Sequence, residues 1–142
     1  MSQTTEQNAR QMIELVNSRN VEKLMDQYAE DATFQVPNLN GPIKGKDAIR
    51  AFYQGSFAAF PDWTMVVSKV IVSGGETIVV NSVHGTHNGP MAGTDGQAIA
   101  PTHKKFTQDL LTRVVFDDSD KVRSLRAYGN SSDMTRPLGL PA

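Results

Sequence analysis

The spacing of the apolar residues changes once along this 142-residue chain, close to Trp63. Before that point, apolar residues recur every three or four positions, as on one face of an amphipathic helix. After it, runs rich in β-branched residues indicate long antiparallel strands. Helices followed by such strands predict an α+β domain, and the length suits a single domain, 1–142. We expect a cone-shaped, strongly curved antiparallel sheet, with three N-terminal helices closing an apolar pocket.

The first third of the chain carries signals for the three helices. Thr4 stands three residues before Gln7, which is the spacing of a capping box. Asn20 is a suitable cap for a short second helix, whose apolar stripe reaches Tyr28. A third helix, rich in aromatic residues, is predicted to end at Pro61.

Four long strands and a long loop are predicted in the rest of the chain. The strands are Trp63–Val72, Thr77–His87, Phe106–Phe116 and Val122–Tyr128, preceded by a short strand over Ala32–Val36. The stretch Asn88–Pro101 lacks periodicity, and a loop of that length inside one domain is usually functional or mobile. The tail, which contains Pro137, is predicted to be only partly ordered.

Composition and motifs exclude several classes of protein. Cysteine is absent, so thiol chemistry, disulfides and zinc-thiolate sites are ruled out. The formal net charge of −1 argues against a nucleic-acid or anionic-membrane partner. No phosphate-binding or dinucleotide-binding glycine motif and no HExxH motif occurs, so we predict neither a metal nor an organic cofactor. The polar first twenty residues contain no secretory signal, and we therefore predict a soluble, cytoplasmic protein.

Two histidines stand where a strand meets the long loop. His84 and His87 are three residues apart, which places them on opposite faces of a strand and makes shared metal ligation unfavourable. A histidine at a pocket mouth can act as general acid or base, because its pKa lies near neutral pH. The alternative is a histidine that holds the loop by hydrogen bonds.

The strand that begins near Phe106 alternates in a way that separates two candidate residues. Gln108 and Leu110 share one face, and Asp109 lies on the other. A carboxylate in an apolar strand is costly to bury without a partner. Asp109 is therefore either exposed and paired with Arg113, or a functional carboxylate.

Further candidates for substrate contact come from the last strand and from the ends of helices. Arg126, Tyr128 and Asn130 share a face, which either lines the pocket or faces solvent. Tyr28 and Trp63 stand at element ends, where an amphipathic ring can border a pocket. We predict that Tyr28 and Trp63 line one cavity together with His87 and the last two strands.

Five short motifs follow one another along the chain: Gly45–Phe52, Phe57–Trp63, Gly85–Gly89, Ala100–Phe106 and the closing Leu138–Gly139. In their order and spacing the chain resembles the SnoaL-like polyketide cyclases of the nuclear-transport-factor-2-like superfamily. The resemblance covers about residue 5 to residue 140.

The resemblance implies a cone fold, a homodimer packed through the outer sheet face, and aldol ring closure of a polyketide ester without metal or cofactor. It also implies an acid/base aspartate at the position of Asn130, and a histidine at or near Leu110. An amide cannot exchange a proton at neutral pH, so any catalysis would need Asp109 or His87 instead.

Three functional hypotheses follow. The first is a cofactor-independent cyclase or isomerase that acts by general acid/base chemistry on a small hydrophobic carbonyl compound. The second is a non-catalytic small-molecule-binding or dimeric accessory module on the same fold. The third is epoxide opening by a water molecule that a carboxylate such as Asp109 activates.

Overall fold

Four helices and eight strands make up the part of the chain that the computed structural model describes, residues 4–92 and 97–140. The helices are α1 (Thr5–Asn17), α2 (Val21–Asp26), α3 (Lys46–Ala59) and α4 (Ser132–Thr135). The strands are β1 (Tyr28–Gln35), β2 (Ile43–Lys44), β3 (Thr64–Ser73), β4 (Glu76–Thr86), β5 (Met91–Ala92), β6 (Ala98–Ile99), β7 (Lys105–Phe116) and β8 (Val122–Tyr128). Within these residues, no helix has both the length and the apolar character needed to cross a membrane.

Six strands form one curved sheet in the order β2-β1-β8-β7-β4-β3. Neighbouring strands run antiparallel except β1 and β8, which are parallel. The short strands β5 and β6 pair separately, inside the segment that was predicted to be a loop. The predicted α+β class, with a curved sheet and few helices, is confirmed.

The predicted helix caps are present. Thr4 and Gln7 form a reciprocal capping box, in which the Gln7 N–H donates to Thr4 Oγ1 at 3.1 Å and the Thr4 N–H donates to Gln7 Oε1 at 2.9 Å. The Asn20 side chain accepts the N–H of Lys23 at 3.2 Å and so caps α2. These bonds satisfy N–H groups that have no partner inside a helix.

Tyr28 is the first residue of β1, and the prediction that it continues the second helix is wrong. Helix α2 ends at Asp26. The N–H of Val122 donates to the carbonyl of Gln27 at 2.7 Å, and Tyr28 then pairs with Val122. Pairing with β8 thus overrides the helical spacing, because it satisfies backbone groups that would otherwise be buried without partners.

The C-terminal segment is also more ordered than its proline and glycine content suggests. Residues 132–135 form α4, and Met134 and Leu138 are buried. Both pack into an apolar cluster with Phe60 and Phe106. Burial of these two side chains offsets the cost of ordering the tail.

The two faces of the sheet differ in character. Burial alternates along β4 and along β7 as far as Val114, as expected for strands with one face against a core. The inner face packs against α1 and α3. The outer face carries four large apolar side chains that are 46–50% exposed, namely Val66, Ile71, Leu111 and Tyr128.

Candidate functional site

A cavity of about 360 Å³ lies between the inner face of the sheet and the helices α1 and α3. Met12 of α1, Phe52 of α3 and Leu125 of β8 are among its wall residues. The hairpin of β5 and β6 contributes Met91 and Ala92. A concave, mostly apolar cavity with a few polar groups is the usual form of a small-molecule site.

The described wall of this cavity carries no charged side chain. Its polar members are Asn38, Tyr53, Ser56, Trp63, Gln108 and Thr112. Since an unpaired charge is costly to bury, an uncharged wall favours an uncharged ligand.

Tyr53 on α3 is part of the wall, and its hydroxyl pairs with that of Tyr28. The two hydroxyl oxygens are 2.9 Å apart, and Tyr28 lies behind the wall, fully buried on β1. Burial raises the pKa of Tyr53 to about 12, although its hydrogen bond with Tyr28 partly opposes the rise. Burial and the neighbouring Tyr53 raise the pKa of Tyr28 well above its ordinary value of 10.0. Both phenols are therefore neutral at pH 7, where they can donate hydrogen bonds but cannot act as bases.

Trp63 is part of the wall, and its backbone is held from the turn between α1 and α2. Arg19 donates from Nη2 to the Trp63 carbonyl at 2.8 Å. The Asn17 side chain pairs with both backbone groups of Met65, at 2.8 and 3.0 Å. The Trp63 ring lies 5.8 Å from that of Phe60, between centroids. The indole N–H is buried without a hydrogen-bond partner among the described residues.

Gln108 and Thr112 are the polar residues that β7 presents to the cavity. Gln108 donates from Nε2 to the backbone carbonyl of Asn130 at 2.9 Å. Thr112 donates from Oγ1 to Asn81 Oδ1 at 2.9 Å. Both side chains are buried, so a ligand beside them has to satisfy the hydrogen-bonding groups that the protein leaves without a partner.

Asp109 and His84 lie on the outer face of the sheet, away from the cavity. Asp109 is exposed, and Arg113 pairs instead with Glu76, at 3.0 Å. His84 is hydrogen-bonded through Nε2 to Ser82 and through Nδ1 to the hydroxyl of Thr107. The structure thus separates both predicted site residues from the wall.

Arg126 and Tyr128 also lie on the outer face, which matches the alternative in which this face of the last strand is turned away from the pocket. The Arg126 guanidinium carbon is 4.8 Å from the centre of the Tyr128 ring. Alternation along β8 places Leu125 and Ala127 on the cavity wall instead.

His87 is completely buried but lies behind the wall rather than in it. Its ring is 5.5 Å from that of Phe60, between centroids. The Thr102 N–H donates to His87 Nδ1 at 3.2 Å, and the Thr102 hydroxyl is 3.1 Å from the same atom. Burial lowers the pKa of His87 below its ordinary value of 6.5, and nearby His103 lowers it further, while the Gly89 backbone partly opposes this. This arrangement matches the alternative in which a histidine holds the loop.

Asn130 is exposed, and its side chain turns toward α4. Its Oδ1 accepts the Ser132 N–H at 3.0 Å and the Ser132 hydroxyl at 2.7 Å. Only its backbone carbonyl contacts a wall residue, Gln108. The amide thus performs the turn-forming role typical of asparagine.

Of the nine predicted site residues, Trp63 and Gln108 lie in the cavity wall. Tyr53 and Thr112 also lie in the wall but were not predicted. Thr112 could have been found, because it shares a strand face with Gln108. Tyr53 lies in the aromatic stripe of the third helix, where its spacing does not distinguish it from a core residue. Among the described residues, no three His, Cys, Asp or Glu side chains are grouped closely enough to hold a metal ion.

The model of the SnoaL-like domain family matches residues 9–124. Solved structures with the same fold include IdmH from Streptomyces antibioticus, named as a candidate polyketide cyclase, with 21% identity and a TM-score of 0.77, covering 97% of this chain and 100% of IdmH. A candidate SnoaL-like polyketide cyclase from Jannaschia sp. CCS1 has 18% identity and a TM-score of 0.77, covering 100% and 99% of the two chains. A protein with a ketosteroid isomerase-like fold from Catenulispora acidiphila, in complex with trimethylamine, has 16% identity and a TM-score of 0.78, covering 97% and 96% of the two chains.

Proposed function

The chain belongs to the SnoaL-like domain family, and on this premise we propose that it binds a small, uncharged, hydrophobic carbonyl compound of the polyketide type in the cavity between the sheet and α1 and α3. The observation that carries this proposal is the wall itself, which is apolar, lined with aromatic rings and free of charged side chains among the described residues. Such a wall stabilises a ligand by burial of apolar surface, while a few hydrogen bonds orient it.

The geometry favours the binding module over general acid/base catalysis. A general acid or base must come within hydrogen-bond reach of the substrate. Asp109 and His84 lie on the opposite face of the sheet, and His87 lies behind Phe60. Tyr53 is the one titratable side chain in the described wall, and its pKa of about 12 leaves it protonated at pH 7. Epoxide opening is disfavoured for the same reason, since the described wall contains no carboxylate to hold a water molecule.

A second candidate function is that of a cyclase or isomerase that stabilises an oxyanion. The Tyr28–Tyr53 pair supports it, because Tyr28 can donate to Tyr53 while Tyr53 donates to a carbonyl or enolate oxygen in the cavity. The naming of IdmH and the Jannaschia protein as candidate polyketide cyclases agrees with this chemistry. No cofactor is needed for it.

Fluorescence titration tests the binding proposal, because Trp63 is the chain's single tryptophan and lies in the wall. We expect saturable quenching by polycyclic ketones and quinones, with weakened binding in Leu110→Asp. Asp109→Asn, the neighbouring residue on the outer face, serves as the matched control and should bind unchanged. If no compound of a broad panel of carbonyl compounds binds saturably, the proposal is disproved.

Activity measurements separate the two candidate functions. A binding module leaves every bound carbonyl compound chemically unchanged over hours. For a cyclase or isomerase, product accumulates, and Tyr53→Phe reduces kcat with little change in ligand affinity. If the protein turns over a substrate and Asp109→Asn or His87→Gln abolishes that turnover, the general acid/base hypothesis is restored.

We also propose that two copies pair through the outer face of the sheet. This face is apolar because of Val66, Ile71, Leu111 and Tyr128, each nearly half exposed in the single chain. A second copy about a twofold axis would bury these residues on both sides. Sedimentation should show twice the monomer mass, with Leu111→Asp monomeric and Gln54→Asp, on the exposed side of α3, still dimeric. A monomer at micromolar concentration would contradict the pairing.

A further inference from the structure

Gln108 and Thr112 determine which polar groups a bound ligand must carry. Both lie on the inner face of β7 with Leu110 between them, all three in the cavity wall. Both polar side chains are also almost fully buried, at 2% and 3% exposure. A ligand in the cavity therefore replaces water at these two positions.

Each side chain uses a proton in bonds to the protein. The Thr112 hydroxyl proton goes to Asn81 Oδ1, which leaves Oγ1 facing a ligand as an acceptor only. Gln108 directs Nε2 to the carbonyl of Asn130, and because a carbonyl only accepts, this bond fixes which end of the amide is nitrogen. The carbonyl oxygen Oε1 is then the acceptor that Gln108 offers to a ligand.

A ligand that carries only ketone, ester or ether oxygens cannot satisfy these two acceptors. A hydroxyl group can, because it brings the missing proton. An ammonium group would also bring protons, but the described wall has no anion to balance its charge. The rings of Phe34, Phe52 and Trp63 in the same wall favour an aromatic framework for the hydroxyl groups.

The separation of the two positions sets the length of the ligand. Thr112 lies four residues along β7 from Gln108, a rise of roughly 13 Å between the two backbone positions. Both side chains line the same cavity, so one ligand can contact both.

We propose that the natural ligand is an elongated, uncharged aromatic compound with a phenolic hydroxyl at each end, one donating to Thr112 Oγ1 and the other to Gln108 Oε1. This inference rests on the proposed function and narrows it to hydroxylated ligands. The carbonyl group of the ligand then pairs with Tyr53 rather than with β7.

Equilibrium dialysis with two rod-shaped probe molecules of matched size tests the inference. The probes are trans-4,4′-dihydroxystilbene and trans-4,4′-difluorostilbene, which have nearly the same shape, while only the first can donate. One net hydrogen bond typically changes affinity by about 2- to 10-fold. The dihydroxy probe can make two such bonds, one to Thr112 and one to Gln108, so we expect wild type to prefer it by about 10-fold or more. Thr112→Val and Gln108→Leu should each reduce this preference several-fold.

Two variants control for structural effects. Thr112→Ser retains the hydroxyl and should retain the preference. Thr107→Val makes the same substitution as Thr112→Val on the outer face of the same strand and should leave both affinities unchanged. Melting curves confirm that each variant is folded before the affinities are compared.

Equal binding of the two probes, or a preference that survives both Thr112→Val and Gln108→Leu, would overturn the inference. If neither stilbene binds but carbonyl compounds do, the inference is overturned as well, while the proposed function stays in place. If neither the stilbenes nor any carbonyl compound binds, the proposed function itself fails, and the inference fails with it.

Discussion

The carboxylate of Asp62 accepts two hydrogen bonds from Thr86, one from the backbone N–H at 2.7 Å and one from the hydroxyl at 2.6 Å. This pair joins the turn after α3 to the last residue of β4, next to Trp63 in the cavity wall. Slight burial tends to raise the pKa of Asp62, but the bonds from Thr86 outweigh it and hold the pKa below its usual value.

Asp62→Asn should therefore lower stability at pH 7 by about 1 kcal/mol, because the amide makes weaker bonds than the carboxylate. A carboxyl group with a lowered folded-state pKa contributes its stability above its unfolded pKa, about 3.9, and loses it as pH falls through the folded value. The melting temperatures of wild type and variant should thus differ at pH 7 and converge near pH 2. A difference that is independent of pH would contradict this assignment.

Gly89 packs against the last turn of α3 so closely that a side chain cannot be added. An ideal Cβ there would overlap the carbonyl oxygen of Ala58. The Gly89 and Asn88 N–H groups both donate to the carbonyl of Ala59, at 3.0 and 3.1 Å. Gly89→Ala should break this contact and destabilise the fold by about 2 kcal/mol or more.

Gly55→Ala is the matched control for that substitution. Gly55 lies within α3, and an added Cβ meets nothing within 4 Å. Alanine should stabilise the helix there by roughly 0.5–1 kcal/mol. Chemical denaturation of both variants measures the two changes, and equal effects would show that the close approach at Gly89 is not what matters.

Burial of His87 predicts a pH dependence of stability. Its folded-state pKa is lowered, chiefly by burial, so the unfolded chain binds the proton more readily. Stability from this residue is therefore complete above the unfolded pKa, about 6.5, and is lost as pH falls from there toward the folded value. Protonation of Nδ1 also breaks its bond from the Thr102 N–H.

Denaturation curves between pH 7.5 and pH 5 measure this loss. His87→Gln should be less stable than wild type at pH 7.5 and should lose less stability on acidification. His84→Gln, on the exposed side of the same strand, is the control and should follow wild type. A wild-type curve that is flat over this range would contradict the assignment.

Much of the fold could be predicted because local chemistry and tertiary packing agree. Thr4 and Gln7 make their capping box from residues three apart, and the alternation along β7 correctly put Gln108 and Asp109 on opposite faces. For β8, polarity was the misleading signal. Arg126 and Tyr128 suggested a polar lining, but register with β7 turns that face outward.

The site was harder to predict because its polar residues depend on long-range contacts. Tyr53 gains its role from Tyr28, 25 residues away, and nothing in the helix stripe distinguishes it from core. Thr112 is oriented by Asn81, which lies 31 residues earlier in the chain. His87 is removed from the wall by Phe60, a packing relationship that no spacing in the sequence encodes.

Asn130 provides a test of side-chain role against backbone role. Its side chain accepts the N–H of Ser132, two residues on, in the turn typical of asparagine, and its carbonyl accepts from Gln108. Asn130→Asp should keep this turn, since aspartate accepts the same bond, and should not create acid/base activity, because the carboxylate would lie outside the cavity. Asn130→Ala should cost about 1 kcal/mol of stability, because the bond is lost. Ligand affinity should change little in either variant, because the carbonyl that positions Gln108 is retained.

Two outcomes would contradict this prediction. Cyclase activity that arises on Asn130→Asp would show that this side chain reaches the substrate. A large loss of affinity in Asn130→Ala would show that the side chain, not the carbonyl, positions Gln108.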